Sequence, residues 1–506
     1  MDILLIRHPD ELAKFSEMIE SLALSYLASY LRQHEYTVEI LDPCLSGWDE
    51  AVLIDQVIKR DFKLLGMSVN SPSILRKTKD LLNKLRLSGM NAPIVLGGFL
   101  PSFEDILTLE NITDVDFVVR FEGEQTLVEL IKNIDFPEKY SSVTGLTYRY
   151  KNQIFQNPLR PLIKELDSIH FPSRDHAHLL ADSPGYLNIL SSRGCFRNCT
   201  FCTAQQYTTL PGGPKWRGRS PSNIIDEIEM IIAKWGIRNF VFVDDTFFGP
   251  GLLGKERVRE FSAEILRRNI KCKFKFECHV KDIEPEIFSL LKSAGLVRVF
   301  LGLESGVQQM LDRFNKMSTV EQNKKSLHIL SELGIGVDIG FIMFDPYTTF
   351  EEVKQNLGFL KSIDTYRGPL MFQDMIIAKG SEMESALTNQ RKLVPREYIH
   401  DYIIDDDRVE WIRRTMTKCR LELAFIGKQI QQRLLKQAFN SNYCDQELIR
   451  SFDWDLINLL NDVIIEVEKT DDKKLIEERG ESFVKQSSNI ASKYADLLNI
   501  PSHQNR

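Results

Sequence analysis

The sequence predicts an α/β protein in three parts: an N-terminal doubly wound parallel sheet, a central open barrel of six β/α units, and a mostly helical C-terminal region. Two observations predict this. Short apolar runs alternate with helical periods up to about Lys132, and again between Tyr186 and about Ile377, which is the pattern of parallel strands joined by helices. After about Ser381 the strand signals fade and helical periods dominate, for example over 421–439 and 453–467.

The first series, 1–135, supplies strands at 3–6, 37–41, 62–69, 93–96 and 116–119, with helices at 16–32, 51–59, 73–87 and 124–133. Leu22, Tyr26 and Leu27 fall on one side of the first helix. Such a Rossmann-like sheet binds ligands beyond the carboxyl ends of its strands. Ser68, Asn70, Gly97-Gly98 and Glu122-Gly123-Glu124 occupy those ends. Residues 136–184 read as a linker, with Pro158, Pro161, Pro172 and Pro184 and a short hairpin around 144–154. The second series, 185–380, supplies strands at 186–190, 239–243, 273–277, 297–303, 336–344 and 370–376. Its first helix has clear boundaries: Ser220 as cap, Pro221 in the first turn and Gly236 at the end. Ile224, Ile225, Ile228, Ile231 and Ile232 form its apolar face. Six units are fewer than the eight of a closed TIM barrel, so a partial (β/α)6 barrel of that type is expected. Residues 381–506 form the helical remainder, and no internal repeat is seen.

The chain has 506 residues, 43% hydrophobic and 27% charged, with a formal net charge of −7. No basic excess points to a nucleic-acid partner. The N terminus reads as a first strand, without the basic leader and apolar core of a signal peptide. No apolar stretch approaches the roughly 20 residues that span a bilayer. A cytoplasmic protein without a membrane partner is expected. Eight cysteines are too few for a disulfide framework in a chain of this length, so a tight cluster among them points to metal binding or chemistry.

That cluster is Ser191-Ser192-Arg193-Gly194-Cys195-Phe196-Arg197-Asn198-Cys199-Thr200-Phe201-Cys202, with spacing C-x3-C-x2-C. Thiolates are soft ligands, and four normally complete a [4Fe–4S] cluster. Here three occur together, and the next, Cys272, lies 272 − 202 = 70 positions on. A three-cysteine site leaves one metal position open, as catalytic rather than structural sites do. A zinc site would want a nearby fourth Cys or His, but the next histidine downstream is His279. An electron-transfer module without catalysis would supply four cysteines, as a ferredoxin does.

The triplet closely resembles the radical S-adenosylmethionine (SAM) signature C-x3-C-x-φ-C, with Phe201 at the aromatic position. The resemblance implies that Cys195, Cys199 and Cys202 hold a [4Fe–4S] cluster. Its open iron would bind SAM, and one electron would cleave SAM to methionine and a 5′-deoxyadenosyl radical. Asp244-Asp245-Thr246-Phe247 stands where that family binds the SAM amino group. Gly302-Leu303-Glu304-Ser305-Gly306 is similar to the family's segment near the SAM ribose and carboxylate. Arg217-Gly218-Arg219-Ser220-Pro221 and 310–316, with Arg313 and Lys316, resemble one large subgroup. That subgroup's glycine-containing turn after the fifth strand is replaced here by Phe344-Asp345-Pro346-Tyr347-Thr348-Thr349.

A doubly wound domain before such a barrel resembles the cobalamin-dependent radical SAM enzymes over about three quarters of the chain. Gly66-Met67-Ser68-Val69-Asn70, Leu96-Gly97-Gly98-Phe99 and Arg120-Phe121-Glu122-Gly123-Glu124 carry the likeness. It implies cobalamin bound near Ser68, Asn70, Gly97, Gly98, Glu122 and Gly123. Glycines there would let the backbone approach a flat macrocycle. No histidine of this region has the D-x-H-x-x-G surroundings that would give cobalt a lower ligand. The implied activity is methyl transfer to an unactivated carbon of a small molecule or natural-product intermediate, with an electron donor such as flavodoxin or ferredoxin. Radical cyclisation, oxidation or rearrangement without methyl transfer is the alternative. A methylthiotransferase usually brings a further cysteine triplet, and the N-terminal half has only Cys44 before the one described. Cys278 and His279 lie at a strand end, where packing is the commoner role; Cys419 and Cys444 read as buried helix thiols.

Overall fold

The computed structural model describes residues 1–9, 19–181, 185–394, 400–439, 446–469 and 473–500. The first residues of the expected 16–32 helix, Pro184 and Cys444 lie outside them. The chain divides into two compact units: 1–196 with 203–245, and 197–202 with 246–506. The division falls within the segment expected to form one barrel.

In the first unit, β1 (Ile3–Ile6), α1 (Leu22–Gln33), β2 (Val38–Leu41), α2 (Glu50–Ile58), β3 (Leu64–Ser68), α3 (Pro72–Leu87), β4 (Ile94–Gly97), β5 (Phe117–Val119) and α4 (Glu124–Lys132) follow the expected alternation. The first five strands run parallel in the order β2-β1-β3-β4-β5. Capping fixes the helix starts: the Asp49 side chain accepts from Val52 N–H and Ser71 from Ile74 N–H. The stretch expected as linker contributes to the sheet. Its hairpin, β6 (Leu146–Tyr150) and β7 (Gln153–Gln156), adds two antiparallel strands beside β5. Leu146 and Tyr148 join Val95, Phe117 and Leu127 in the core, so burial holds the hairpin expected around 144–154 against the sheet.

The first unit continues with β8 (Tyr186–Ile189), β9 (Ser192–Gly194), β10 (Trp216–Gly218), α5 (Pro221–Trp235) and β11 (Asn239–Phe242). β8 and β11 pair in parallel, and β9 and β10 form an antiparallel ribbon. The boundaries of α5 match the sequence reading: Ser220 accepts from Asn223 N–H, and Gly236 closes the helix at φ +72°.

The second unit carries α6 (Gly251–Arg267), β12 (Lys273–His279), α7 (Pro285–Ala294), β13 (Leu296–Glu304), α8 (Val320–Glu332), β14 (Gly336–Phe341) and α9 (Phe350–Ser362), with β12, β13 and β14 parallel. Phe247, Phe261, Phe274, Phe276 and Phe288 fill its core, and Phe247 stacks on Phe276 at 4.3 Å. The expected sixth strand over 370–376 is not formed. Pro369 opens a 3-10 turn, Pro369–Phe372, and a single bridge joins Asp374 to Phe344. Proline lacks the N–H that a ladder needs. Three long helices follow: α10 (Asp407–Phe439), α11 (Gln446–Lys469) and α12 (Lys473–Leu497). Ile412, Met416, Cys419, Leu423, Ile426 and Ile430 give α10 a buried stripe at helical spacing. No described helix is long and apolar enough to cross a membrane.

Candidate functional site

The carboxyl ends of β3, β4 and β5 open into a cavity of about 460 Å³ inside the first unit. Its walls are largely aliphatic, from Leu5, Leu24, Leu27, Val95, Val119 and Leu127, because both the parallel strands and α1 present their buried faces there. Ser68, Asn70, Gly97, Gly98, Glu122 and Gly123, the residues expected to hold cobalamin, all line it. Gly98 sits at φ +98°, where a Cβ would collide with Val69 O and Asn70, so the backbone turn at this rim requires glycine. Asn70 is already engaged: its Oδ1 accepts from Phe99 N–H at 3.0 Å. Among the described residues, no histidine lines the cavity. Apolar walls under a rim of glycine and small polar groups fit a large macrocycle with an amide periphery.

Glu122 and Glu124, which both line the cavity, also pair with arginines of the β9–β10 ribbon. Glu122 Oε1 lies 3.0 Å from Arg193 Nη1 and 2.8 Å from Arg217 Nη2. Glu122 Oε2 accepts from Ile163 N–H at 2.8 Å. Arg193 Nη2 donates to Glu124 at 2.7 Å. Burial works against the Glu122 carboxylate, yet Arg193 and Arg217 hold its pKa below the usual value. Arg193 and Tyr207, also a cavity wall, received no role from the sequence.

Beyond β8, Asp244 secures the backbone that leads to the cysteines. Its Oδ1 accepts from Ser191 N–H at 2.7 Å and Ser192 N–H at 2.9 Å, and the Ser191 hydroxyl donates to Oδ2. Asp245 accepts from Gly194 N–H at 3.1 Å, while burial raises its pKa. Gly194 itself stands at φ +87°, with no room for a Cβ beside Lys215 O. Both aspartates thus hold β9, immediately before Cys195; Asp245 also faces the cavity.

In the second unit the segment 197–202 rests on the motif at 310–316. Thr200 N–H donates to Phe314 O at 3.0 Å, Thr200 Oγ1 to Arg313 O at 3.0 Å, and Asn315 Nδ2 to Asn198 O at 2.9 Å. Phe201 lies edge-on to Phe314 at 5.6 Å. Arg313 is fixed by Asp345 at 2.8 Å and Glu352 at 2.9 Å. The turn that lacks the subgroup's glycines therefore supplies one anion for this cradle, Asp345, and the first turn of α9 supplies the other, Glu352. Glu304, at the end of β13, adopts φ +63°, a strained value for a side chain other than glycine. Lys316 Nζ donates to it at 2.7 Å. Burial alone would lower the Lys316 pKa, but Glu304 and Cys199 raise it. Burial raises the Cys199 thiol, opposed by Lys316 and Arg197. Gly302 leaves the space for this ion pair, since a Cβ there would meet both charged groups.

Cys278 and His279, at the end of β12, are both buried. His279 Nδ1 accepts from Lys281 N–H at 3.1 Å, so Nε2 carries the proton donated to Lys316 O at 2.9 Å. Burial, Lys316 and Arg197 push its pKa down to about 2. Among the described residues no three His, Cys, Asp or Glu side chains stand in a ligand-like array. The fit to an iron–sulfur cluster rests on the donor set: three half-buried thiols, all soft ligands.

Residues 189–360 match the Radical SAM superfamily, and residues 12–131 match the B12 binding domain. The uncharacterized methyltransferase PH0819 of Pyrococcus horikoshii is 28% identical over 371 residues, covering 72% of this chain and 78% of the relative. The anaerobic magnesium-protoporphyrin IX monomethyl ester cyclase of Rubrivivax gelatinosus is 26% identical over 346 residues, 66% of this chain and 60% of the relative. The solved structure of the cobalamin-dependent SAM radical enzyme OxsB, with aqua-cobalamin and SAM bound, shares the fold at a TM-score of 0.76 and 19% identity, covering 100% of this chain and 81% of that one.

Proposed function

Because this chain belongs to the cobalamin-dependent radical SAM enzymes, we propose that it transfers a methyl group from SAM to an unactivated carbon of a small molecule or natural-product intermediate. Its two domains take a [4Fe–4S] cluster with SAM, and cobalamin. When bound, these groups supply an electron, a hydrogen-abstracting radical and a methyl carrier. The chain's residues bind, orient and exclude water. In this reading Cys195, Cys199 and Cys202 ligate the cluster. Asp245 and Glu304 face SAM, while Asp244 and Lys316 keep their surroundings in register. Ser68, Asn70, Gly97, Gly98 and Gly123 border the macrocycle, and the aliphatic cavity walls keep solvent from it.

One observation carries the reading. The unit that forms the glycine-rimmed cavity also carries, on β9, the backbone entering the cysteine triplet. Relatives named as methyltransferases support methyl transfer. Relatives named as cyclases support the second reading, radical chemistry without methyl transfer. A cytoplasmic setting and an electron donor of the flavodoxin or ferredoxin type complete the proposal.

The test is an anaerobic assay of the cluster-reconstituted chain with SAM, reductant, cobalamin and candidate substrates, with Cys199→Ala as control. Formation of 5′-deoxyadenosine together with S-adenosylhomocysteine is expected. Deoxyadenosine without S-adenosylhomocysteine would favour the second reading. No SAM cleavage by protein with a verified cluster would refute both.

A further inference from the structure

Arg193 and Arg217 stand directly opposite each other on the β9–β10 ribbon. Like charges at facing positions repel, and both guanidiniums are largely buried, with side-chain exposures of 15% and 4%. Anions against the ribbon offset this repulsion and the cost of burial. Glu122, from the turn after β5, and Glu124, the first residue of α4, supply them. Glu122 bridges the two arginines, and Glu124 takes the second fork of Arg193. The Arg193 guanidinium also lies over the Tyr26 ring, 5.5 Å from its centroid. Both glutamates, both arginines, Tyr26 and Gly194 line the cavity. The same ribbon ends at Gly194, pinned by Asp245, and the next residue is Cys195.

We propose that Glu122, Glu124, Arg193 and Arg217 are positioning residues that couple cobalamin occupancy of the cavity to the setting of the Cys195 segment, so that cluster and cobalamin each strengthen binding of the other. The inference rests on cobalamin filling the cavity. A macrocycle covering this wall displaces water from the ion cluster. Its hydrogen-bonded charges then interact in a lower dielectric and hold β9 more firmly. By linkage, whatever cobalamin gains from an ordered ribbon, the cluster gains from bound cobalamin.

The experiment measures hydroxocobalamin affinity by visible absorption, using the full chain with and without its reconstituted cluster. Wild type is expected to bind at least about 5-fold more tightly when the cluster is present, the lower end of ordinary coupling. In Glu124→Gln the ratio should fall towards one, and in Arg193→Lys, which keeps the charge but loses the fork, it should fall part of the way. The electron paramagnetic resonance spectrum of the reduced cluster should change on adding cobalamin in wild type and not in Glu124→Gln. Circular dichroism verifies that each variant is folded. A ratio of one in wild type, or an undiminished ratio in folded Glu124→Gln, would overturn the coupling. Wild type that binds no cobalamin in either state would overturn the cofactor reading as well.

Discussion

Replacing Lys316 by Met tests a short, buried ion pair of the second unit. Lys316 Nζ and Glu304 Oε1 are 2.7 Å apart, with side-chain exposures of only 8% and 12%. At this separation the pair's attraction is about 6 kcal/mol for an effective dielectric near 20, before the desolvation of both groups is subtracted. Truncating the lysine does not remove that attraction cleanly; it strands a buried carboxylate, which costs about 3–5 kcal/mol. Neutralising both partners, in Glu304→Gln with Lys316→Met, strands no charge and should recover most of the loss. Urea denaturation of the cluster-free chain at neutral pH reads both values. The raised Lys316 pKa makes the pair's contribution complete below about pH 10.5, to be lost as pH rises through the folded value. A single variant within about 1 kcal/mol of wild type, or a double variant no better than the single, would refute the reasoning.

Three further expectations follow from buried groups and backbone. Asp374 has its pKa raised to about 6, chiefly by burial and against the pull of Arg413. Its stability contribution is present below about pH 4 and lost as pH rises through 6, so Asp374→Asn should gain up to about 3 kcal/mol at pH 8 and about half that at pH 5; a pH-independent difference would contradict this. His279, held neutral with its pKa pushed down to about 2 by burial, Lys316 and Arg197, contributes stability present above about pH 6.5 and lost as pH falls, at up to about 1.4 kcal/mol per unit. His279→Gln should flatten that slope in urea titrations between pH 7 and 5, and an unaltered slope would assign it to other groups. Gly194→Ala should cost more than about 2 kcal/mol, from its left-handed backbone and the blocked approach to Lys215; it should also lower the iron bound per chain on reconstitution, and full iron content in a stable variant would count against the role given to this turn.

The cofactor chemistry was legible in the sequence because it depends on local features. Thiol spacing in 195–202 and glycines at strand ends are set within a few residues. The alternation of strands and helices was legible because buried parallel strands read as apolar runs. The α5 boundaries followed from Ser220, Pro221 and Gly236. The hairpin expected around 144–154 forms at 146–156, but its place beside β5, secured by burial of Leu146 and Tyr148, was not legible locally. Apolar content failed at 370–376, where Pro369 started a turn instead of a strand.

What only the tertiary structure decided is which charge meets which. Glu122 is distant in sequence from Arg193 and Arg217, and so is Asp345 from Arg313. Nothing local records these pairs, because a charged side chain exposed in solution and one paired in the interior have the same residue identity. Burial decides between them, since a charge removed from water must find its partner wherever the fold brings one. The sequence by itself determined the thiol spacing and the scaffold type; the fold determined that Glu122, which lines the cavity, also pairs with Arg193 and Arg217 on the ribbon that leads into the first cysteine.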